Sequence, residues 1–169
     1  AVQVYLMATW SRADQTYPPT GAWAGQAIET MALDVRAASD KAAADAPAIA
    51  SVIPVGEAWT RAMRTGVADP NPYDGIAFEK IDLWTHDHYH ASVYGYYLEA
   101  LTVFGSLTGL DPRSLGDHEC AAFELGISRQ QIGALQQVAF DQLLAEQAVT
   151  PAPLLLPKPA TQGRCVHGR

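Results

Sequence analysis

The chain opens on an apolar run rich in β-formers, VQVYLMAT (2–9), which breaks into the polar loop SRADQTYPPTG. Such a run predicts a buried parallel strand, apolar on both faces. A helical pattern follows. Ile28, Met31, Val35, Ala38 and Ala42 step by three and four residues and share one face, and Pro47 ends the segment. ASVIPVG (50–56) predicts a second buried strand, with Pro54 marking its end. EAWTRAMRTG (57–66) predicts a short helix that starts with an acid, favourable at that end, and closes on Gly66. Turn residues fill 67–76, and KIDLW (80–84) predicts a short strand or extended piece. Ser92 can cap a long helix whose apolar face is Val93, Tyr97, Ala100, Phe104 and Leu107 and whose stop is Gly109. Two more helices are predicted, over about 117–125 and 129–147, the second with a capping box at Ser128 and Gln131. The Pro-rich stretch 149–169 predicts irregular chain.

Strand, helix, strand, helix is the order of an α/β fold with a parallel sheet under helices. Two strands are few for such a sheet, which usually has about 4–6. Further strands are therefore expected upstream of Ala1.

Composition narrows the function classes. The chain has 169 residues, 49% hydrophobic and 17% charged, which fits one globular core. The formal net charge is −7, so the basic footprint of a nucleic-acid binder is missing. No apolar run reaches the roughly 20 residues of a membrane helix. Cys120 and Cys165 allow one disulfide and match no metal spacing. With no basic neighbour in sequence to lower its pKa, Cys120 reads as a small core residue.

The candidate chemistry sits in THDHYHAS (85–92). Read as an extended chain, it puts His86, His88 and His90 on one face, as three zinc ligands would be. Read as a turn, it aims the Asp87 carboxylate at one nitrogen of His90. The other nitrogen is then left to take a proton from a nucleophile. Read blandly, His86 and His88 are surface residues and Tyr89 packs. The segment lies at the carboxyl end of a strand-like piece, where α/β sheets place their chemistry. Trp10, Arg12 and Asp14 follow the first strand at the same end and are candidates to line a pocket. The bland alternative is a packed Trp beside a solvated ion pair. Glu57 follows the second strand and reads first as a helix N-terminal acid.

DHYHASVYGYYLEALTVFGSLTGLDP resembles the last signature block of the SGNH (GDSL-type) hydrolase superfamily. That block runs Asp, two residues, His, a Pro, a small polar residue and a helix with an early Gly. Here these are Asp87, His90, Ser92 and Gly95, and Ala91 stands where the family usually has Pro. The flanks YLMATWSRAD and VIPVGEAWTRAM resemble a bacterial branch of the same superfamily, of unknown substrate. The resemblance covers residues 1–116, leaving 117–148 as a C-terminal helical extension and 149–169 as a tail.

The resemblance implies a flavodoxin-like three-layer α/β/α fold with extra C-terminal helices, of which this chain is the C-terminal part. It implies a serine esterase in which Asp87 orients His90, with no cofactor. The substrate would be a small-molecule or glycan ester, carrying its acyl group on a carbohydrate or lipid. Family members of this kind are often secreted or periplasmic, and an export signal would lie upstream of Ala1. The family's nucleophile stands in a Gly-Asp-Ser or Gly-Asn-Ser block, and no serine of this chain has that context. The chain by itself is therefore expected to be inactive. The rival expectation is a non-catalytic module that binds a ligand or metal through His86, His88 and His90. Nothing in the sequence fixes an oligomeric state.

Overall fold

A computed structural model describes residues 2–150. The fold is mixed α/β. Strands β1 (Val4–Ala8) and β2 (Ile49–Pro54) pair in parallel as a two-stranded sheet. Helix α2 (Glu29–Asp45) makes the crossover between them, after the single turn α1 (Ala13–Thr16). Helix α3 (Val55–Arg64) leaves β2 directly. Pro54 ends the strand, where its missing N–H costs no ladder bond, and is also the N-cap of α3. Helix α4 (Val93–Thr108) follows the histidine segment. A 3-10 turn (Pro112–Leu115), α5 (Cys120–Glu124) and α6 (Arg129–Ala145) complete the described chain.

The helix ends obey their sequence signals. Ser92 Oγ accepts from the Gly95 amide at the start of α4. Gly109 ends that helix in the left-handed region (φ 69°), as the absence of a Cβ allows. Ser128 and Gln131 form the reciprocal capping box of α6.

One main core holds the molecule together. Trp59 and Ala62 of α3, Leu83 and Trp84 of the loop, Leu98 and Leu101 of α4, and Leu135 and Ala139 of α6 are buried in one cluster. The 117–148 stretch thus shares its core with the rest. Close approach is built in at Gly56, where any Cβ would strike the Thr9 carbonyl, which brings α3 hard against the end of β1.

Several expectations are corrected. Within the described residues β1 pairs only with β2, and Val4 and Met7 are 43% and 40% exposed, so the strand is not buried on both faces. The inward face of α2 is Ile28 and Ala32 with partly covered Val35, Ser39 and Ala43, while Ala38 and Ala42 are exposed. KIDLW is not a strand. Ile81 and Trp84 make only isolated bridges, to Ala68 and Ala91, and Ile81, Leu83 and Trp84 are all buried instead of alternating. The predicted helix over 117–125 shrinks to Cys120–Glu124. Glu119 becomes its N-cap, its carboxylate accepting from the Ala121 and Ala122 amides. The expectations for Cys165 and for 151–169 lie outside the described residues. Among the described residues no helix is long and apolar enough to cross a membrane.

Candidate functional site

The carboxyl end of β1 and the histidine loop meet, and tryptophans join them. Trp10, two residues past β1, stacks on Trp59 of α3 with ring centroids 4.7 Å apart and planes 8° from parallel. Trp59 meets Trp84 edge-on at 5.4 Å. Both outer indoles then donate across the junction. Trp10 Nε1 bonds the Tyr89 carbonyl at 3.0 Å, and Trp84 Nε1 bonds the Ser11 carbonyl at 3.0 Å. The Asp14 amide adds a third tie, to the His88 carbonyl at 3.2 Å. Gly95 lets α4 close over this stack, since a Cβ there would press into the Trp59 ring and the Leu83 carbonyl.

The loop itself is a tight turn. The Thr85 amide donates to the His90 carbonyl at 2.8 Å, and the His88 amide donates back to the Thr85 carbonyl at 2.9 Å. His88 takes the left-handed conformation (φ 57°), uncommon for a residue with a side chain. This fold-back wraps backbone donors around Asp87. Its Oδ1 accepts from Thr85 Oγ1 at 2.6 Å, the Tyr89 amide at 3.0 Å and the His90 amide at 2.9 Å. Its Oδ2 lies 2.6 Å from His90 Nδ1.

The hydrogen bond with His90, then those from Thr85 and the two amides, hold the Asp87 carboxyl far below the usual carboxylate range. Asp87 is therefore ionised and can only accept. Nδ1 of His90 must carry the proton in the shared bond, and in the neutral ring the lone pair falls on Nε2. The pair is in contact with solvent, its side chains 59% (His90) and 37% (Asp87) exposed.

Both substrate-contact candidates from the sequence reach this loop. Trp10 does so through the Tyr89 carbonyl. The Arg12 guanidinium lies 3.7 Å over the Tyr89 ring, which itself leans on His90 at 4.3 Å. Arg12 also grips Asp14 with two bonds, at 3.0 and 2.7 Å. Its charge is thus largely balanced, and the Asp14 carboxyl is pulled down by the Arg12 bond. The ion pair foreseen as a bland alternative exists, but stands beside the Asp87–His90 pair.

The other histidines do not join them. His86 is exposed on the turn. His88 packs on the Tyr73 ring at 4.3 Å, and its Nδ1 is buried without a hydrogen-bond partner. Among the described residues no group of three or more His, Cys, Asp or Glu side chains is placed to hold a metal ion. The three-ligand face required a straight strand, and the turn at His88 removes it.

Sequence reasoning missed Thr85 and the role of Tyr89. The signal for Thr85 was present as Thr-x-Asp at the head of a turn, where a hydroxyl can reach a carboxylate two residues on. Tyr89 had no signal, because its ring meets Arg12 only after the two loops come together. Glu57 is not at this site. It pairs with Arg36 at 2.8 Å.

No family model, curated protein or solved structure matches the chain.

The geometry itself limits the chemistry. An imidazole with Nδ1 fixed on a carboxylate and Nε2 left with its lone pair can act as a general base. Among the described residues no serine hydroxyl bonds His90. Ser11, nearest in position along the strand end, is buried and accepts the Ala32 amide at 2.9 Å.

Proposed function

We propose that the chain carries the acid–base half of an SGNH-type ester hydrolase with a flavodoxin-like three-layer α/β/α fold. The single observation behind this is the Asp87–His90 contact of 2.6 Å, with Asp87 Oδ1 saturated by three further donors. A carboxylate so held orients one imidazole and little else. Its place beside the carboxyl end of β1 is where parallel α/β sheets carry their chemistry.

In this reading His90 Nε2 takes the proton of a serine hydroxyl as its oxygen adds to the acyl carbonyl. The imidazolium is stabilised by Asp87. It then gives the proton to the alkoxide as the ester C–O bond breaks, and water repeats the cycle on the acyl-serine. The serine comes from a segment that packs over the loop, outside this chain. The exposure of the dyad favours such a cover, since a carboxylate–imidazole pair stabilises charge far better out of water.

The test is covalent. A fluorophosphonate probe should label one serine of the protein containing this chain, with labelling lost in His90→Ala. The isolated 169-residue chain should stay unlabelled and hydrolyse no short acyl ester. Labelling that survives in His90→Ala, or turnover by the isolated chain, overturns the proposal.

A further inference from the structure

The Asp87 bond fixes one atom of His90 and leaves the plane of its ring open. A single hydrogen bond at Nδ1 lets the imidazole swing about it, and most of this ring stands in water. To act as a base it must present Nε2 in one direction, and a misplacement of about 1 Å can cost about 100-fold in rate. A second contact has to set the ring.

Tyr89 supplies that contact. Its ring lies 4.3 Å from the His90 ring, with the planes 36° apart. Tyr89 is itself 41% exposed, so the core does not hold it. Arg12 holds it instead, with its guanidinium 3.7 Å over the Tyr89 ring in a cation–π contact. The guanidinium is gripped in turn by the Asp14 carboxylate, through Nε and Nη2. Gln15 Nε2 donates to the same carboxylate at 3.0 Å. Asp14 also balances the Arg12 charge, which would otherwise oppose the charge His90 gains with a proton.

The backbones of the two segments are matched as well. Trp10 Nε1 donates to the Tyr89 carbonyl, and the Asp14 amide donates to the His88 carbonyl. Residues 10–15 thus grip consecutive residues of the histidine loop, just ahead of His90.

We propose that Arg12 and Tyr89 are positioning residues: Arg12, gripped by Asp14, braces the Tyr89 ring, and the Tyr89 ring sets the plane of the His90 imidazole. Arg12 then acts through Tyr89 and not on a substrate. The kinetic consequence rests on the hydrolase reading; the brace itself does not.

The first arm of the test needs no turnover. The His90 ring signals of the full 169-residue chain are read by NMR, where the Tyr89 ring current displaces them. Tyr89→Phe keeps the ring and should keep the displacement, while Tyr89→Leu should abolish it. Arg12→Lys keeps the charge but can neither grip Asp14 with two bonds nor lie flat on the ring. It touches no atom of His90, yet it should move the His90 signals toward their Tyr89→Leu positions. Melting curves show whether each variant is folded. Should Arg12→Lys unfold the chain, the two variants at exposed Tyr89 still decide.

The second arm is kinetic, on an acyl ester. Tyr89→Leu and Arg12→Lys should each lower kcat, by about 10- to 100-fold, with KM unchanged. Tyr89→Phe should restore the kcat lost in Tyr89→Leu. Added to Tyr89→Leu, Arg12→Lys should cost nothing more, because the brace has already lost its link to His90.

His90 signals unmoved by Tyr89→Leu or by folded Arg12→Lys would overturn the proposal. So would a raised KM with kcat kept in Arg12→Lys, the mark of a substrate contact, or losses that add in the double variant. His90 signals that respond as expected, in a protein that never hydrolyses an ester, would keep the brace and remove the hydrolase reading.

Discussion

Asp87 and His90 carry different burdens, and their variants should separate them. On the proposed hydrolase reading, His90→Ala should remove ester turnover by several orders of magnitude, as loss of a triad member does. His86→Ala and His88→Ala should each cost far less, and a chelator should change nothing. Comparable losses at all three histidines, in steady-state kinetics on a short acyl ester, would contradict the dyad. Asp87→Asn should lower kcat strongly with little change in KM, because a neutral amide neither fixes the Nδ1 proton nor stabilises the imidazolium. Wild-type kcat in that variant would reduce Asp87 to a turn residue. The pair was legible in the sequence because a three-residue step on a turn is a local relation. Thr85 was less so, since its hydroxyl finds Asp87 only once His88 has turned left-handed.

Among the elements, α4 is the one whose position decides the site. It begins at Ser92 directly after the loop, and Gly95 sets how closely it lies on Trp59. Gly95→Ala should destabilise the fold by about 2 kcal/mol, because the added methyl meets a backbone carbonyl and a packed indole that cannot move aside. A lowered denaturation midpoint at unchanged m-value checks this; an unchanged midpoint would show the contact to be slack. The caps at Ser92, Gly109 and Ser128 were readable because capping chemistry is local. The phase of α2 was not. Its apolar pattern leans on Ala38 and Ala42, and alanine gains too little from burial to choose a face. Arg36 settles the matter instead, by reaching Glu57 of α3 and Glu146 beyond α6. KIDLW has strand composition, but its bridging partners are loops that only the fold brings alongside.

For the molecule as a whole, the Arg36 cluster ties together segments far apart in the chain. One guanidinium serves Asp40, Glu57 and Glu146, and Glu57 Oε2 remains buried without a partner. Burial therefore raises the Glu57 carboxyl above its usual value despite the pairing, since a cation shared three ways cannot offset the lost hydration. The sign follows by linkage. A carboxyl with a raised folded-state pKa contributes stability below its unfolded value and loses it as pH rises through the folded one. Glu57→Gln should accordingly gain stability relative to wild type as pH rises from about 4 to 7. Melting curves at the two ends of that range check it, and a constant difference would place the charge in water. Arg36→Met should have the opposite effect at neutral pH, a loss of about 2–3 kcal/mol, because it leaves a half-buried carboxylate unopposed. The α/β class was legible from element order. The open side of β1 was not, because a run of apolar β-formers reads the same whether one or two neighbours pair with it.

The three ties between the strand end and the histidine loop have a kinetic consequence. An exposed turn ordinarily exchanges its amide hydrogens independently of the core. Here the Asp14 amide is held by the loop's His88 carbonyl, while the Ser92 amide is held by Leu83 in the core, and indoles clamp both sides. Asp14, Thr85 and Ser92 should lose their deuterium protection together, with one opening free energy, although two helices and a strand lie between Asp14 and Thr85 in the chain. The loop then opens as a latch that also frees the end of β1.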